Sequence, residues 1–190
     1  LAWGEPPDGP LAIQENGLSF AVDLLGGQKT GLYLDQRENR RVAAHYFRGR
    51  DVLDMCCYVG GFSLAAARIG GARHVLGVDA SDKAVEQARV NAAANGVENA
   101  EFQTGECFDT LEALRASGRR FGGIVLDPPR FAGSRHGVDQ ALRAYFRLNR
   151  LALELLEPEG ILVTCSCSGR VTREDFRQML AGAAQKAGRD

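Results

Sequence analysis

The sequence lacks the features that identify several large classes of protein. No apolar run approaches the roughly 20 residues that span a bilayer. Residues 1–7 carry no basic segment followed by an apolar one, as a signal peptide would. The net charge is −1, so no overall field attracts polyanions, and a nucleic-acid contact must be a local patch. The chain also begins without Met, and we expect it to be a piece of a longer protein.

Cysteine usage and glycine spacing exclude further classes. The cysteines are Cys56, Cys57, Cys107, Cys165 and Cys167, an odd number. No Cys-x-x-Cys pair occurs and the three histidines stand apart, so we expect no metal site. Reduced thiols are typical of the cytosol, and we expect the protein in the cytoplasm. The glycine pattern of dinucleotide-binding folds, G-x-G-x-x-G, is absent, which argues against NAD.

A regular alternation of predicted strands and helices occupies most of the chain. Its 190 residues suffice for one domain with a sizeable core. Apolar runs predict strands at 51–55, 74–79, 100–104, 122–127 and 160–165. Helical patterns are predicted at 62–69, 81–95, 108–117, 138–156 and from 172 onward. This alternation predicts an α/β fold, a mostly parallel sheet with helices on both faces.

A small β-hairpin segment is predicted before the alternation starts. Residues 11–14 and 18–24 alternate around Glu15-Asn16-Gly17, a pattern typical of a tight hairpin. Asp35 is the predicted cap of a helix that runs to about residue 47. We therefore expect a hairpin and connecting helix over 1–48 and the α/β domain over 49–190.

Two motifs that follow predicted strands carry the strongest chemical signal. Asp127-Pro128-Pro129-Arg130-Phe131 combines a carboxylate with a rigid turn that ends in an aromatic ring. Ser166-Cys167-Ser168-Gly169 places a thiol just after the last strand. Because ligands of open parallel sheets bind at the carboxyl ends of strands, a base-stacking ring and a soft nucleophile there indicate covalent chemistry on a nucleobase.

Glycines and acids after the earlier strands predict a cofactor site. Gly60 and Gly61 follow the strand 51–55 and precede a helix, where backbone N–H groups can face a ligand. Asp79 ends the next strand, where a carboxylate can accept from ribose hydroxyls, and Glu106 follows the third strand. Singly, Asp79 is equally explained as a helix-capping or turn acid, and Glu106 is better explained as an ordinary first-turn acid. Together they fit a nucleoside-bearing cofactor without a pyrophosphate, which points to S-adenosylmethionine.

These motifs resemble those of bacterial class I methyltransferases that make 5-methylcytosine in 23S ribosomal RNA. The matching segments are Gln28-Lys29-Thr30-Gly31, Asp35-Gln36-Arg37-Glu38-Asn39-Arg40, Tyr58-Val59-Gly60-Gly61-Phe62, Val78-Asp79-Ala80-Ser81 and the two motifs above. They run in order from about residue 11 to the end. The resemblance implies a Rossmann-like fold, S-adenosylmethionine as cofactor, and RNA, in particular 23S rRNA, as partner. It leaves open a homodimer and implies no membrane partner.

The resemblance also implies roles for individual residues. The expected cofactor-binding residues are Lys29, Gln36, Arg37, Cys57, Tyr58, Gly60, Asp79, Ala80, Glu106, Cys107 and Asp127. Tyr58 to Gly61 would hold the methionine part, Asp79 the ribose, and Glu106 with the Cys107 backbone the adenine. The expected substrate-binding residues are Pro128, Arg130, Phe131 and Arg135, with Phe131 stacking on an extruded base. Cys167 matches the family's nucleophile, and Asp127 is the second catalytic residue expected.

The chemistry explains the need for a thiol. Carbon 5 of cytosine cannot take a methyl group directly, but a thiolate that adds at carbon 6 makes carbon 5 nucleophilic. Cysteine is partly thiolate at neutral pH and suits this step. The remaining four cysteines are predicted to be core residues. In an extended strand Cys165 would point the same way as Cys167, yet we treat it as core.

The same motifs also fit other functions. An Asp-Pro-Pro-aromatic turn also serves methyltransferases that act on a base nitrogen, in which Cys167 would be structural. A nucleotide-binding oxidoreductase and a non-catalytic RNA-binding remnant are the alternatives from other classes. Arg143, Arg147 and Arg150 could face phosphates, although a solvated helix face is the commoner outcome.

The resemblance also indicates what the chain lacks. Members of the family carry an RNA-binding domain of the PUA type before this region and two further strands after it. We expect those carboxyl-terminal strands to be missing, which would leave the last strand of this chain as an exposed edge.

Overall fold

A five-stranded parallel sheet with helices around it forms the centre of the molecule. The computed structural model describes residues 9–23, 31–131 and 137–189. The strands in the described ranges are β1 (Leu11–Glu15), β2 (Leu18–Val22), β3 (Asp51–Met55), β4 (His74–Asp79), β5 (Ala100–Thr104), β6 (Phe121–Leu126) and β7 (Leu156–Thr164). The order in the large sheet is β5-β4-β3-β6-β7, with all neighbours parallel, and β1 and β2 form a separate antiparallel pair.

Helices connect the strands of the large sheet, as its parallel order requires. They are α1 (Arg37–Ala44), α2 (Gly61–Leu64), α3 (Asp82–Ala94), α4 (Cys107–Ala116), α5 (Val138–Leu155) and α6 (Arg173–Lys186). A 3-10 turn, Leu34–Gln36, precedes α1, and a π-helical turn, Ala65–Ile69, continues α2. The predicted α/β, Rossmann-like fold with a preceding hairpin is therefore confirmed.

Apolar side chains cover both faces of the sheet. On β3, Val52 packs into a core shared with α2 and α3, whereas Leu53 and Met55 pack into a second core against α4 and α5. Because successive strand residues point to opposite faces, a strand covered on both sides must be apolar throughout. Asp54 breaks this rule: it is a carboxyl with no exposed surface.

The hairpin β1–β2 packs onto α3 rather than standing apart. Its turn residues Asn16 and Gly17 have φ values of 52° and 80°, the left-handed conformation that a two-residue hairpin requires. The β2 backbone is fastened by α3 side chains: Ser19 N donates to Asn95 Oδ1 at 2.8 Å, and Ala21 N donates to Asn91 Oδ1 at 3.0 Å. The domain boundary at 48/49 stays a prediction.

A buried ion pair joins the hairpin to α1. Arg40 donates to Glu15 through two bonds of 2.7 and 2.8 Å, and both side chains are about 95% buried. Arg40 also donates to the carbonyl oxygen of Tyr33 at 2.9 Å. The two parallel hydrogen bonds compensate for much of the hydration that both charges lose on burial. It fixes the segment around residues 33–40 against the rest of the fold.

The predicted ends of helices and strands are confirmed at some positions and wrong at others. The helix predicted from residue 81 is α3, and Ser81 caps it by accepting from Ala84 N. The predicted capping role of Asp35 is wrong, because Asp35 lies inside the 3-10 turn and Gln36 precedes α1. The last strand begins at Leu156 rather than 160, and an irregularity in its pairing with β6 accommodates Glu159 at a φ of 57°.

Both ends of the large sheet are edges among the described residues, β5 on one side and β7 on the other. Residues 161–165 are partly exposed along the β7 edge. None of the described helices combines the length and the hydropathy that a membrane span needs.

Candidate active site

The loop after β3 has an unusual backbone that the surrounding fold holds in place. Cys56, Tyr58 and Gly60 have φ values of 65°, 50° and 85°. Left-handed conformations at non-glycine residues are costly and persist only where neighbouring structure enforces them. Here Cys57 N donates to the carbonyl of Val78 at 2.9 Å, and Gly60 N donates to that of Cys57 at 2.9 Å. Gly60 adopts a φ that strains other residues, and a Cβ there would also lie 2.7 Å from Leu64 Cδ1, so both effects favour glycine.

Asp79 fastens that loop to the end of β4. Its Oδ2 accepts from Tyr58 N at 2.9 Å, and its Oδ1 accepts from Ser81 N at 3.0 Å. An ionised carboxylate has about four acceptor positions, so each oxygen keeps capacity for a ligand hydroxyl. Ala80, next to it, is exposed. This geometry suits the predicted ribose contact, which stays a prediction.

Asp54 is the next-to-last residue of β3, just before the same loop, and its side chain is buried in the sheet. Ser63 Oγ donates to its Oδ2 at 2.5 Å, whereas its Oδ1 is buried and has no hydrogen-bond partner among the described residues. The pKa of Asp54 is raised to about 7, mainly by burial and also by the nearby carboxylates of Asp127 and Asp79, whereas the bond from Ser63 opposes the rise. A buried acceptor without a partner is uncommon in folded proteins and calls for an explanation.

The predicted adenine residues follow β5. Glu106 is exposed and directly precedes α4, whose first residue is Cys107. The hydrogen bond between the thiols of Cys56 and Cys107, together with burial, raises the pKa of Cys56. Burial also holds the pKa of the Cys57 thiol well above its ordinary value. All five cysteines lie in the described ranges and are free thiols.

Asp127 ends β6 in a partly buried position beside the amino-terminal segment. Gln36 Nε2 donates to its Oδ1 at 3.0 Å. Burial raises the pKa of Asp127, and the bond from Gln36 and the charge of Arg40 oppose that rise. Gln36, predicted to bind the cofactor, thus donates to the carboxylate of the Asp127 motif. Arg37 is exposed, and Lys29 lies outside the described residues.

The two thiols after β7 differ in environment. The strand ends at Thr164, before both cysteines, so the side-chain alternation of a strand does not fix which way Cys165 and Cys167 point. Cys165 packs against the core, and burial with the neighbouring Asp127 raises its pKa to about 12. Cys167 is exposed, and its Sγ lies 3.6 Å from the Pro128 carbonyl oxygen, to which it donates. The structure thus brings the two motifs into direct contact.

The predicted substrate residues occupy the turn after Asp127. Pro128 is buried and Arg130 is exposed. The ring of Phe131 is half-buried and meets Tyr145 edge-to-face, with centroids 4.9 Å apart. Arg135 lies outside the described residues. The stacking role of Phe131 stays a prediction.

Two of the three α5 arginines suggested for phosphate contact are held in ion pairs. Arg147 bonds Glu112 at 2.7 Å, and Arg150 bonds Glu154 at 3.2 Å. A positive charge already paired with a carboxylate has less attraction for a phosphate. These pairs agree with the predicted solvated face of α5.

Sequence reasoning missed two tyrosines at the site. Tyr33 meets Tyr58 edge-to-face at 5.6 Å, and its pKa is raised by burial, then by the nearby Tyr58, Asp127 and Cys167. Tyr145 is fully buried and bonds both serines that flank Cys167. Neither has a spacing signal in the sequence, because each is a single aromatic residue brought in by tertiary packing.

S-adenosylmethionine fits the groups that these strand ends present. Its ribose diol matches the remaining acceptor positions of Asp79. Its positive charge suits these acidic strand ends, where a cation would lower the raised pKa values of Asp54 and Asp127. The loop of Tyr58 and Gly60 offers backbone beside Asp79.

Comparisons with known proteins agree with this description. A family model for S-adenosylmethionine-dependent methyltransferases matches residues 2–187. Over the full length of this chain, it is 46% identical to ribosomal RNA large subunit methyltransferase I of Tolumonas auensis. It is 45% identical over 98% of its length to the protein of the same name from Photobacterium profundum. It covers 48% and 47% of these two proteins, about half the length of the curated relatives it matches.

Solved structures give the same result. The crystal structure of SMU.776, a protein assigned as a methyltransferase and complexed with SAH, superposes with a TM-score of 0.85 at 28% identity. That match covers 95% of this chain and 48% of the other. Sheet order, site geometry, family model and relatives all agree, and the chain belongs to the S-adenosylmethionine-dependent methyltransferase family.

Proposed function

We propose that this chain transfers a methyl group from S-adenosylmethionine to carbon 5 of a cytosine in 23S ribosomal RNA through a covalent bond to Cys167. The observation that carries the proposal is the contact between the two motifs. The exposed Cys167 thiol lies 3.6 Å from the Pro128 carbonyl, immediately after Asp127. A methyltransferase that acts on a nitrogen needs no thiol at this position.

Ribosomal RNA as the substrate is supported by the relatives. Proteins 46% and 45% identical to this chain are named ribosomal RNA large subunit methyltransferases. Arg37 and Arg130 are exposed near the site and can contact phosphates as a local patch. The chain's net charge of −1 makes such a patch necessary.

Cys167 performs the covalent steps in this proposal. Its thiolate adds to carbon 6 of the cytosine, and the electrons of the 5,6 double bond make carbon 5 nucleophilic. Bound S-adenosylmethionine supplies the electrophilic methyl group that carbon 5 takes. A base then removes the carbon 5 proton, the double bond forms again, and Cys167 leaves as the thiolate.

Asp127 assists the addition of the thiolate. Burial raises the pKa of Asp127 above its ordinary value. Its carboxyl group is placed to hydrogen-bond the cytosine ring while the thiolate adds to carbon 6. Gln36 fixes the orientation of that carboxyl through its 3.0 Å bond.

Trapping with 5-fluorocytosine tests the proposal, because fluorine at carbon 5 blocks the final proton removal. We expect 23S rRNA transcripts containing 5-fluorocytosine to form a covalent complex with the wild-type chain in the presence of S-adenosylmethionine. Cys167→Ala should form none, whereas Cys165→Ala should still form it. Absence of the complex with the wild-type chain would contradict the covalent route.

A nucleoside digest separates the rival function, methylation of a base nitrogen. The proposal predicts 5-methylcytidine as the product, and its loss in Cys167→Ala. Formation of N4-methylcytidine, which has the same mass but a different retention time, would favour the rival. So would a Cys167→Ala variant that still methylates RNA.

A further inference from the structure

We infer that Tyr145 is the residue that positions the Cys167 nucleophile, acting through a hydroxyl network around the cysteine loop. The inference rests on the proposed function, because it assigns a role in the reaction of Cys167. Tyr145 lies on α5, outside both chemical motifs, and its side chain has no exposed surface.

The Tyr145 hydroxyl connects the two serines that flank the nucleophile. Ser166 Oγ donates to the Tyr145 hydroxyl at 3.1 Å, and the same hydroxyl lies 3.1 Å from Ser168 Oγ. A tyrosine hydroxyl has one proton to donate and can also accept. If Ser166 supplies one proton, the tyrosine proton is directed to Ser168. Ser168 N in turn donates to Ser166 Oγ at 3.4 Å, which closes a ring of bonds around Cys167.

The network fixes a segment that lies outside the sheet. The ladder with β6 ends at Thr164, and the backbone bond from Cys165 N to Leu126 O, 2.8 Å, is its last link. Beyond it, Ser166 and Cys167 are exposed and Ser168 is buried. A short loop that no strand supports needs side-chain bonds to hold one conformation.

The Tyr145 ring also contacts the other motif, Asp127–Phe131. It meets Phe131 edge-to-face at 4.9 Å and Phe176 at 5.3 Å. One buried side chain thus contacts the end of the Asp127–Phe131 motif through its ring and the cysteine loop through its hydroxyl. This arrangement sets the relative position of the two motifs, where Cys167 Sγ meets the Pro128 carbonyl.

The experiment removes the hydroxyl and keeps the ring. Tyr145→Phe retains the contacts with Phe131 and Phe176, and Tyr46→Phe, at an exposed tyrosine, is the matched control. Three quantities are measured for each variant: the rate of adduct formation with 5-fluorocytosine RNA, the affinity for S-adenosylhomocysteine by calorimetry, and the free energy of unfolding in urea. Misplacement of a reacting group by about 1 Å can cost roughly 100-fold in rate.

A positioning role predicts a selective loss of rate. For Tyr145→Phe we expect the rate of adduct formation to fall roughly 10-fold to 100-fold. Its affinity for S-adenosylhomocysteine should stay within about 2-fold of wild type, as for a group that acts on the covalent step alone. Tyr46→Phe should match the wild type in all three quantities. Ser166→Ala should slow the adduct in the same way, and combining it with Tyr145→Phe should add little, because both act through one network.

Several outcomes would overturn the inference. A wild-type adduct rate in Tyr145→Phe would do so, as would a parallel loss of rate, cofactor affinity and stability, which marks a purely structural residue. If Tyr145→Phe fails to fold, the exposed Ser166 still decides: a wild-type adduct rate in Ser166→Ala overturns the inference. A wild-type chain that forms no adduct refutes the proposed function itself, which is a different result.

Discussion

Ionisation of Asp54 should make the stability of this protein fall as pH rises. The carboxyl is fully buried, and its pKa rises from the ordinary 3.8 to about 7, mainly through burial. Between these pH values the unfolded chain has released the proton while the folded chain retains it. Folding therefore takes up a proton, and the free energy of unfolding decreases with increasing pH across this window.

The magnitude follows from the difference in pKa. Each pH unit between the two pKa values is worth about 1.4 kcal/mol, so the charged carboxylate destabilises the folded chain by about 4 kcal/mol above pH 8. Asp54→Asn resembles the protonated acid in shape and cannot ionise. The stability of the variant relative to wild type should therefore rise by about 4 kcal/mol between pH 4 and pH 8.

Urea unfolding of both chains at unit pH intervals measures this difference. Asp139→Asn, at an exposed aspartate in the first turn of α5, is the control and should run parallel to the wild type. Taking the difference between variants cancels the contributions of the other titrating groups. If Asp54→Asn runs parallel to the wild type across the whole range, the assignment of a buried, neutral Asp54 is refuted.

Three further substitutions test the supports of the site. Glu15→Gln leaves the buried Arg40 charge uncompensated and should cost about 3–5 kcal/mol in urea unfolding, whereas exposed Glu38→Gln should cost about 1 kcal/mol or less. Equal effects would contradict the buried pair. Asn91→Ala removes bonds to Ala21 N and Val59 O, and a thermal melt should report a loss of about 1–3 kcal/mol. Gly60→Ala should lower the calorimetric affinity for S-adenosylhomocysteine roughly 10-fold, because alanine is strained at a φ of 85° and its methyl group would lie 2.7 Å from Leu64 Cδ1, so the loop must shift. Unchanged affinity would argue that the loop does not contact the cofactor.

Most of the fold could be predicted because its signals are local. The strands at 51–55, 74–79 and 100–104 agree with β3, β4 and β5 to the residue, since each is a short run bounded by turn residues. Asn16-Gly17 specifies the hairpin by its own backbone preference. The start of β7 could not be predicted, because the irregular pairing with β6 is a property of two strands rather than one.

The candidate site could be predicted only in part, for the same reason. Motifs of adjacent residues, such as Asp127-Pro128-Pro129 and Ser166-Cys167-Ser168, are visible in the sequence. The bond between Gln36 and Asp127 joins residues 91 positions apart, and no pattern along the chain indicates it. Tyr33 and Tyr145 reach the site through the packing of α1 and α5, and each would pass as a core aromatic residue.

Identifying the sulfur that bonds the pyrimidine tests the central claim most directly. The trapped complex with 5-fluorocytosine RNA would be digested with protease and nuclease, and the peptide that carries the added nucleotide would be sequenced by mass spectrometry. We expect the added mass on Cys167. Finding it on Cys165 or another residue, or finding no modified peptide from the wild-type chain, would contradict that expectation.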